Sequence, residues 1–393
     1  SNEIAVYIFA RVGMVITLMD LLARHTVSNL KELIDHLPGV DKVGRKEELI
    51  DRIVRAMSGP ELRANFSRLD KLQQAAVSEA VHHPLSEYSS QRFRAKYQAV
   101  PAFDVAAKNA YGYACKKSTA LALFIHYVSE LSRQMVPPDL QASLKEFVPI
   151  PASVGLKSTE ELSSAEGLTV RMTEREALQE IMVMLRVIEQ GRIQVGEKTA
   201  LPSTAAMRSI TEKLVGGDFY PWIEKKDKWD QQVGPMKGFA WPMLLQAGGM
   251  AVRTGNRLTL SPQGIKALSA TPAEVLRGLW RKWLKTTVLD EFSRIDEIKG
   301  QNAKGRVMTA IAPRRATIDE ALRDCPVGRW IVIDDFSRFM QASDRIFSVT
   351  HDPWKLYISD RQYGSLGYDG FGGWNILQDR YIFALLFEYA ATL

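Results

Sequence analysis

Residues 238–268, GFAWPMLLQAGGMAVRTGNRLTLSPQGIKAL, change their hydrophobic period twice. An apolar helical run stops at Gly248-Gly249, the usual way for a helix to end. Two alternating runs, AVRT and RLTL, flank Gly255-Asn256, a dipeptide suited to a tight hairpin. SPQGIKAL then restarts a helix. Switching from a period of 3.6 to one of 2 in such short pieces predicts small helical clusters carrying short hairpins.

The same grammar recurs. TEREALQEIMVMLRVIEQG opens with Thr173 and Glu176 in capping-box spacing and carries Leu178, Ile181, Met182, Leu185 and Ile188 at helical spacing. RIQVGEKT reads as a short extended piece and LPSTAAMRSITEKL as a helix capped by Ser203. Further on, TIDEALRDCP reads as a helix and GRWIVI as a strand. DDFSRFMQA follows as a helix capped by Asp334, and FSV and WKLYISD as strands. Three helices with a trailing hairpin describe a winged helix.

Before residue 136 the chain reads as helices over 1–57, a helix over about 61–82, a turn-rich passage, and a helical run over about 118–135. IAVYIFARVGMVITLMDLLARH is interrupted by Arg11, Asp20 and Arg24, so it is expected to be a core helix, not a membrane span. Ser-Asn without methionine suggests that the native start lies upstream. The expected fold class is mainly α with small β-hairpins, comprising a helix–extended–helix module plus tandem winged-helix domains. A helical N-terminal region (1–135) precedes a linker rich in Pro, Ser and Gly (136–170). A winged-helix region (171–270) and a connecting helix with a C-terminal winged helix (271–393) follow.

In TVSNLKELIDHLPGVDKVGRKEELIDRIVRAM, Leu30, Leu33 and Leu37 mark one short helix, and Leu49, Ile50 and Ile53 mark a second that begins after Gly44. Gly44-x-Lys46-x-x-Leu49-Ile50-x-Arg52-Ile53 resembles the SAP domain, a helix–extended–helix module, over residues 26–57. The resemblance implies DNA binding. A helix N-terminus has unpaired N–H groups and a positive dipole end, so phosphate suits it. Lys42, Gly44, Arg45, Lys46 and Arg52 are the candidate contacts. The remainder more loosely resembles winged-helix regions of bacterial helicase-associated proteins, through RLDKLQQAAVSEAV, RFRAKYQ, MLRVIEQGRIQVGEKT and GMAVRTGNRLTLSPQGIKAL.

Charge is distributed unevenly. The 393 residues carry a net charge of +6, while residues 277–315 alone hold ten Lys/Arg against four acids. Residues 63–117 hold nine cations against four acids. Within these blocks RFRAKY offers Arg92, Arg94 and Lys96 beside Phe93 and Tyr97, a surface that could follow a nucleic-acid backbone or be a core stripe with solvated cations. APRRAT offers Arg314 and Arg315. In the hairpin Arg253 and Arg257 flank Thr254-Gly255-Asn256, a tip of a size that can enter a minor groove, and a bare turn with solvated arginines fits the same residues equally well.

No catalytic constellation stands out. GYACKKST (112–119) lacks the glycine that must precede a phosphate-loop lysine, and reads as a basic helix start. Asp334-Asp335 reads as a helix cap before it reads as a Mg²⁺ site. Cys115 and Cys325, and six scattered histidines, show no metal-ligand spacing, so no metal or cofactor is expected. The expectation is a non-catalytic, cytoplasmic DNA-binding protein, a regulator or the DNA-positioning part of a helicase-type assembly. The alternatives are a protein-interaction scaffold and, third, an unrecognised nuclease. In WNILQDRYIFALLFEYAATL, Ile376, Ile382, Phe383, Leu385, Leu386, Phe387, Tyr389 and Leu393 surround the helix. A partner, or a continuation of the chain, is expected to cover it.

Overall fold

The computed structural model describes residues 16–108, 113–162, 169–220, 234–295, 298–301, 307–352, 354–360, 364–368 and 373–393. It is mainly helical with small antiparallel sheets, and it divides into two units. The first ends at Gly155 and takes in Arg338–Asp344, and the second comprises Leu156–Ser337 and Arg345–Leu393. Most of the expected N-terminal core helix lies outside the described residues; its described part is α1 (Leu18–Leu22).

In the first unit α2 (Val27–Ile34) and α3 (Lys46–Ser58) are joined by turns over 35–39 and a stretch without regular secondary structure over 40–45. Thr26 caps α2 by accepting from Asn29 N at 3.2 Å. Leu30, Leu49 and Ile53 are wholly buried in the common core. Each such side chain contributes roughly 1.5–3 kcal/mol by leaving water. The single helix expected over 61–82 is two, α4 (Glu61–Ser67) and α5 (Lys71–His82). Asp70 breaks the run because its carboxylate accepts from Leu72 N and Gln73 N, at 2.9 and 2.8 Å.

Strand β1 (Glu87–Tyr88), helix α6 (Ser90–Tyr97) and the ribbon of β2 (Asp104–Lys108) and β3 (Ala114–Ser118) come next. β4 (His126–Val128), β5 (Arg133–Met135) and α7 (Pro138–Lys145) complete the unit. β1, β5 and β4 form one antiparallel sheet in that order. The helical run expected over about 118–135 is therefore a short 3₁₀ turn at Ala120–Leu123 followed by a hairpin. Leu123, Phe124, Ile125 and His126 are all buried, and four consecutive inward positions do not fit a helix with one apolar face. GYACKKST is also no helix start, since its described part is strand β3, paired with β2 from Asp104↔Ser118 to Lys108↔Ala114.

The second unit opens with α8 (Thr173–Glu189), an extended piece at 193–195, α9 (Thr204–Thr211) and α10 (Met236–Ala247). The hairpin of β6 (Ala251–Thr254) and β7 (Arg257–Leu260) follows, then α11 (Pro262–Ala267) and α12 (Pro272–Trp283). Val195 N donates to Asn256 O at 2.8 Å and Leu258 N to Ile193 O at 2.9 Å, which lays the extended piece beside β7. The order of the three extended segments is first–third–second, as in the β1–β5–β4 sheet.

The remainder holds β8 (Ile298–Lys299), α13 (Ile311–Leu322), α14 (Ile333–Ala342), β9 (Tyr357–Asp360), β10 (Gly364–Tyr368) and α15 (Trp374–Phe383). GRWIVI does not form the expected strand. Trp330 makes a single bridge to Thr159, and the helix already starts at Ile333. Asp334 thus lies in the first turn with Asp335, where carboxylates complement the helix dipole, and is not the cap. The C-terminal segment is also largely covered by its own unit: Tyr381, Ile382, Leu385 and Tyr389 are buried, while Phe387 stays 54% exposed.

Candidate nucleic-acid interface

The α3 mouth is more occupied than its sequence suggests. Gly44 precedes it at φ +155°, and a Cβ there would stand 2.5 Å from the Glu48 carboxylate. That carboxylate accepts from Arg45 N at 3.2 Å, so the helix supplies its own anion where a phosphate was expected. Lys46 Nζ donates to Ala23 O at 2.6 Å. Arg52 ties down the segment between α2 and α3 through Asp41 O and Val43 O, at 2.9 and 2.6 Å. Lys42 pairs with Asp35. Arg45 is exposed.

On α6 the core stripe and the cations separate. Phe93 is buried and stacks on Tyr97 with ring centroids 4.4 Å apart. Arg92 donates to Glu87 O at 3.1 Å and to Asp344 at 3.3 Å. Lys96 donates to Glu79 at 2.6 Å, and that carboxylate also accepts from Tyr97 Oη at 2.8 Å. Arg94 points outward and makes no ion pair among the described residues. The neighbouring ribbon adds Lys108, Lys116 and Lys117, all exposed. In the sequence Lys116 and Lys117 read as a basic helix start and Lys108 only as part of a basic block, because the pairing of β2 with β3 has no local signal.

Arg314 and Arg315 correct the sequence reading outright. They are 1% and 0% exposed, bound to Asp290 at 2.6 Å and Glu291 at 2.8 Å, and cannot reach a phosphate. Burial also removes the helix that precedes the hairpin. On α10 every residue from Met236 to Leu245 is buried, and Asp218 closes its N-terminus by accepting from Met236, Lys237 and Gly238 N at 2.6–2.9 Å. Lys237 is turned inward to Glu180, at 2.6 Å. This helix has no free face for a major groove.

The hairpin tip is different. Residues 252–257 are all exposed, and Gly255 at φ +61° makes the turn. Arg253 Nη1 donates to Gly255 O at 3.1 Å, which stiffens the tip while leaving charge outward, and Arg257 flanks its other side. No family model, curated protein or solved structure matches the chain.

Other chemistry is sparse among the described residues. No group of three or more His, Cys, Asp or Glu there could hold a metal ion. No described helix is long and apolar enough to cross a membrane. His83 is a structural turn anchor whose Nδ1 accepts from Leu85 N and Glu87 N, both at 3.3 Å. His126 is buried against Leu123 O at 3.3 Å, and burial, then the nearby His25, push its imidazolium pKa down to about 4.

Proposed function

We propose that the chain is a non-catalytic DNA-binding protein that contacts phosphates through short, exposed basic hairpins, acting as a regulator or as the DNA-positioning part of a larger helicase-type assembly. The observation that carries this reading is the tip Arg253-Thr254-Gly255-Asn256-Arg257, two arginines on an exposed turn of a two-stranded hairpin that the extended piece at 193–195 bridges. The order helix, extended segment, two helices, hairpin agrees with a winged helix whose wing is its binding element. The burial of α10 favours contact by the wing over contact by a recognition helix. The helix–extended–helix arrangement of α2 and α3 is compatible with a SAP-like module in which Arg45 is the available cation.

Duplex affinity by fluorescence anisotropy, for the parent chain and Arg253→Glu/Arg257→Glu, tests the reading. Reversing two phosphate contacts weakens binding by roughly tenfold or more at low salt, and exposed charges leave the melting temperature nearly unchanged. Equal affinity of the two proteins overturns the wing as the contact.

A further inference from the structure

In the first unit a cleft of about 790 Å³ lies between α6, β1 and the β2–β3 ribbon. Its volume falls in the range of small-molecule sites. Tyr88 lines it and is 3% exposed, yet its hydroxyl has no hydrogen-bond partner among the described residues. A buried hydroxyl left unpaired is costly, so an orphan of this kind in a residue that lines a cavity points to an acceptor supplied from the cavity. Burial pushes its pKa up to about 12 against the opposing charge of Arg94. At neutral pH the group is therefore a donor beside a guanidinium.

Arg94 and Lys116 both line the cleft and are exposed, and neither forms an ion pair among the described residues. Ser90 adds a hydroxyl and Gln134 an amide, and Asp104 is the one acid in the lining. The rest of the wall is largely apolar, with Val100, Pro101 and Phe103. Two cations and several neutral donors over an apolar wall suit an ion with many acceptor oxygens carried on an organic body.

We infer that this cleft binds a small phosphate ester of nucleoside-monophosphate size, with the phosphate held by Arg94, Lys116 and the Tyr88 hydroxyl and the organic body against the Val100–Phe103 wall. The site is separate from the Arg253/Arg257 wing, so it stands whether or not the wing binds DNA. Titration calorimetry of the full chain with thymidine monophosphate tests it. Saturable binding is expected. Arg94→Gln should weaken it about tenfold or more. Tyr88→Phe should weaken it severalfold while the melting temperature stays equal or rises, because the variant removes an unpaired buried hydroxyl. Absence of binding, or binding that neither substitution weakens, overturns the inference.

Discussion

Arg315 donates from Nε to Glu291 at 2.8 Å, and neither side chain reaches solvent. The remaining guanidinium donors go to the carbonyls of Trp283, Thr286 and Leu289, at 2.5–2.9 Å. Glu291 in turn accepts from Trp283 Nε1 at 3.2 Å and Tyr381 Oη at 2.6 Å. A charge pair this deep is tolerable because every polar atom of the guanidinium is spoken for. Removing one partner strands the other. Arg315→Met is expected to destabilise the second unit by about 3–5 kcal/mol in urea denaturation. Arg315→Met with Glu291→Leu should recover much of that loss, and a single variant as stable as the parent would refute the role of the pair.

Acid should weaken the first unit through His126. Its folded pKa is about 4, below the ordinary histidine value of 6.5, so the unfolded chain takes up the extra proton. The contribution is complete above about pH 6.5 and is lost as pH falls towards 4, on the order of 3 kcal/mol at most. Denaturation midpoints measured across that window should fall less steeply for His126→Gln than for the parent. Identical slopes would contradict the assignment.

Gly264 on α11 has no room for a side chain, since a Cβ would lie 2.1 Å from the carbonyl oxygen of Met250. That carbonyl is fixed by accepting from Ser261 N at 2.9 Å. Gly264→Ala should cost about 1–3 kcal/mol through overpacking, read as a lower melting temperature. An unchanged melting temperature would show that the turn yields freely.

Leu49 is wholly buried at the start of α3. Leu49→Ala should cost about 2–5 kcal/mol in denaturation, whereas Arg45→Glu at the exposed helix mouth should leave stability nearly unchanged. The reverse order of effects would contradict the placement of this helix.

Local signals carried far where a single element decided the outcome. Gly255-Asn256 marked the hairpin, and Leu30, Leu49 and Ile53 marked the two inward faces of α2 and α3. What could not be read was pairing at a distance. Arg314 and Arg315 look like any exposed basic pair until Asp290 and Glu291, 24 residues earlier in sequence, are folded against them. The strands after Thr119 look like a helix until β5 comes to lie between β4 and β1. The burial of the Tyr88 hydroxyl without a hydrogen-bond partner among the described residues has no sequence signal, because it depends on how β1 packs.

The salt dependence of duplex binding tests the central claim most directly. If Arg253 and Arg257 each neutralise a phosphate, the logarithm of the affinity falls linearly with the logarithm of salt concentration. Its slope should flatten by about two when both are replaced by glutamine, at roughly 0.9 per phosphate. An affinity that is flat in salt, or a slope that the double substitution leaves unchanged, would contradict the account.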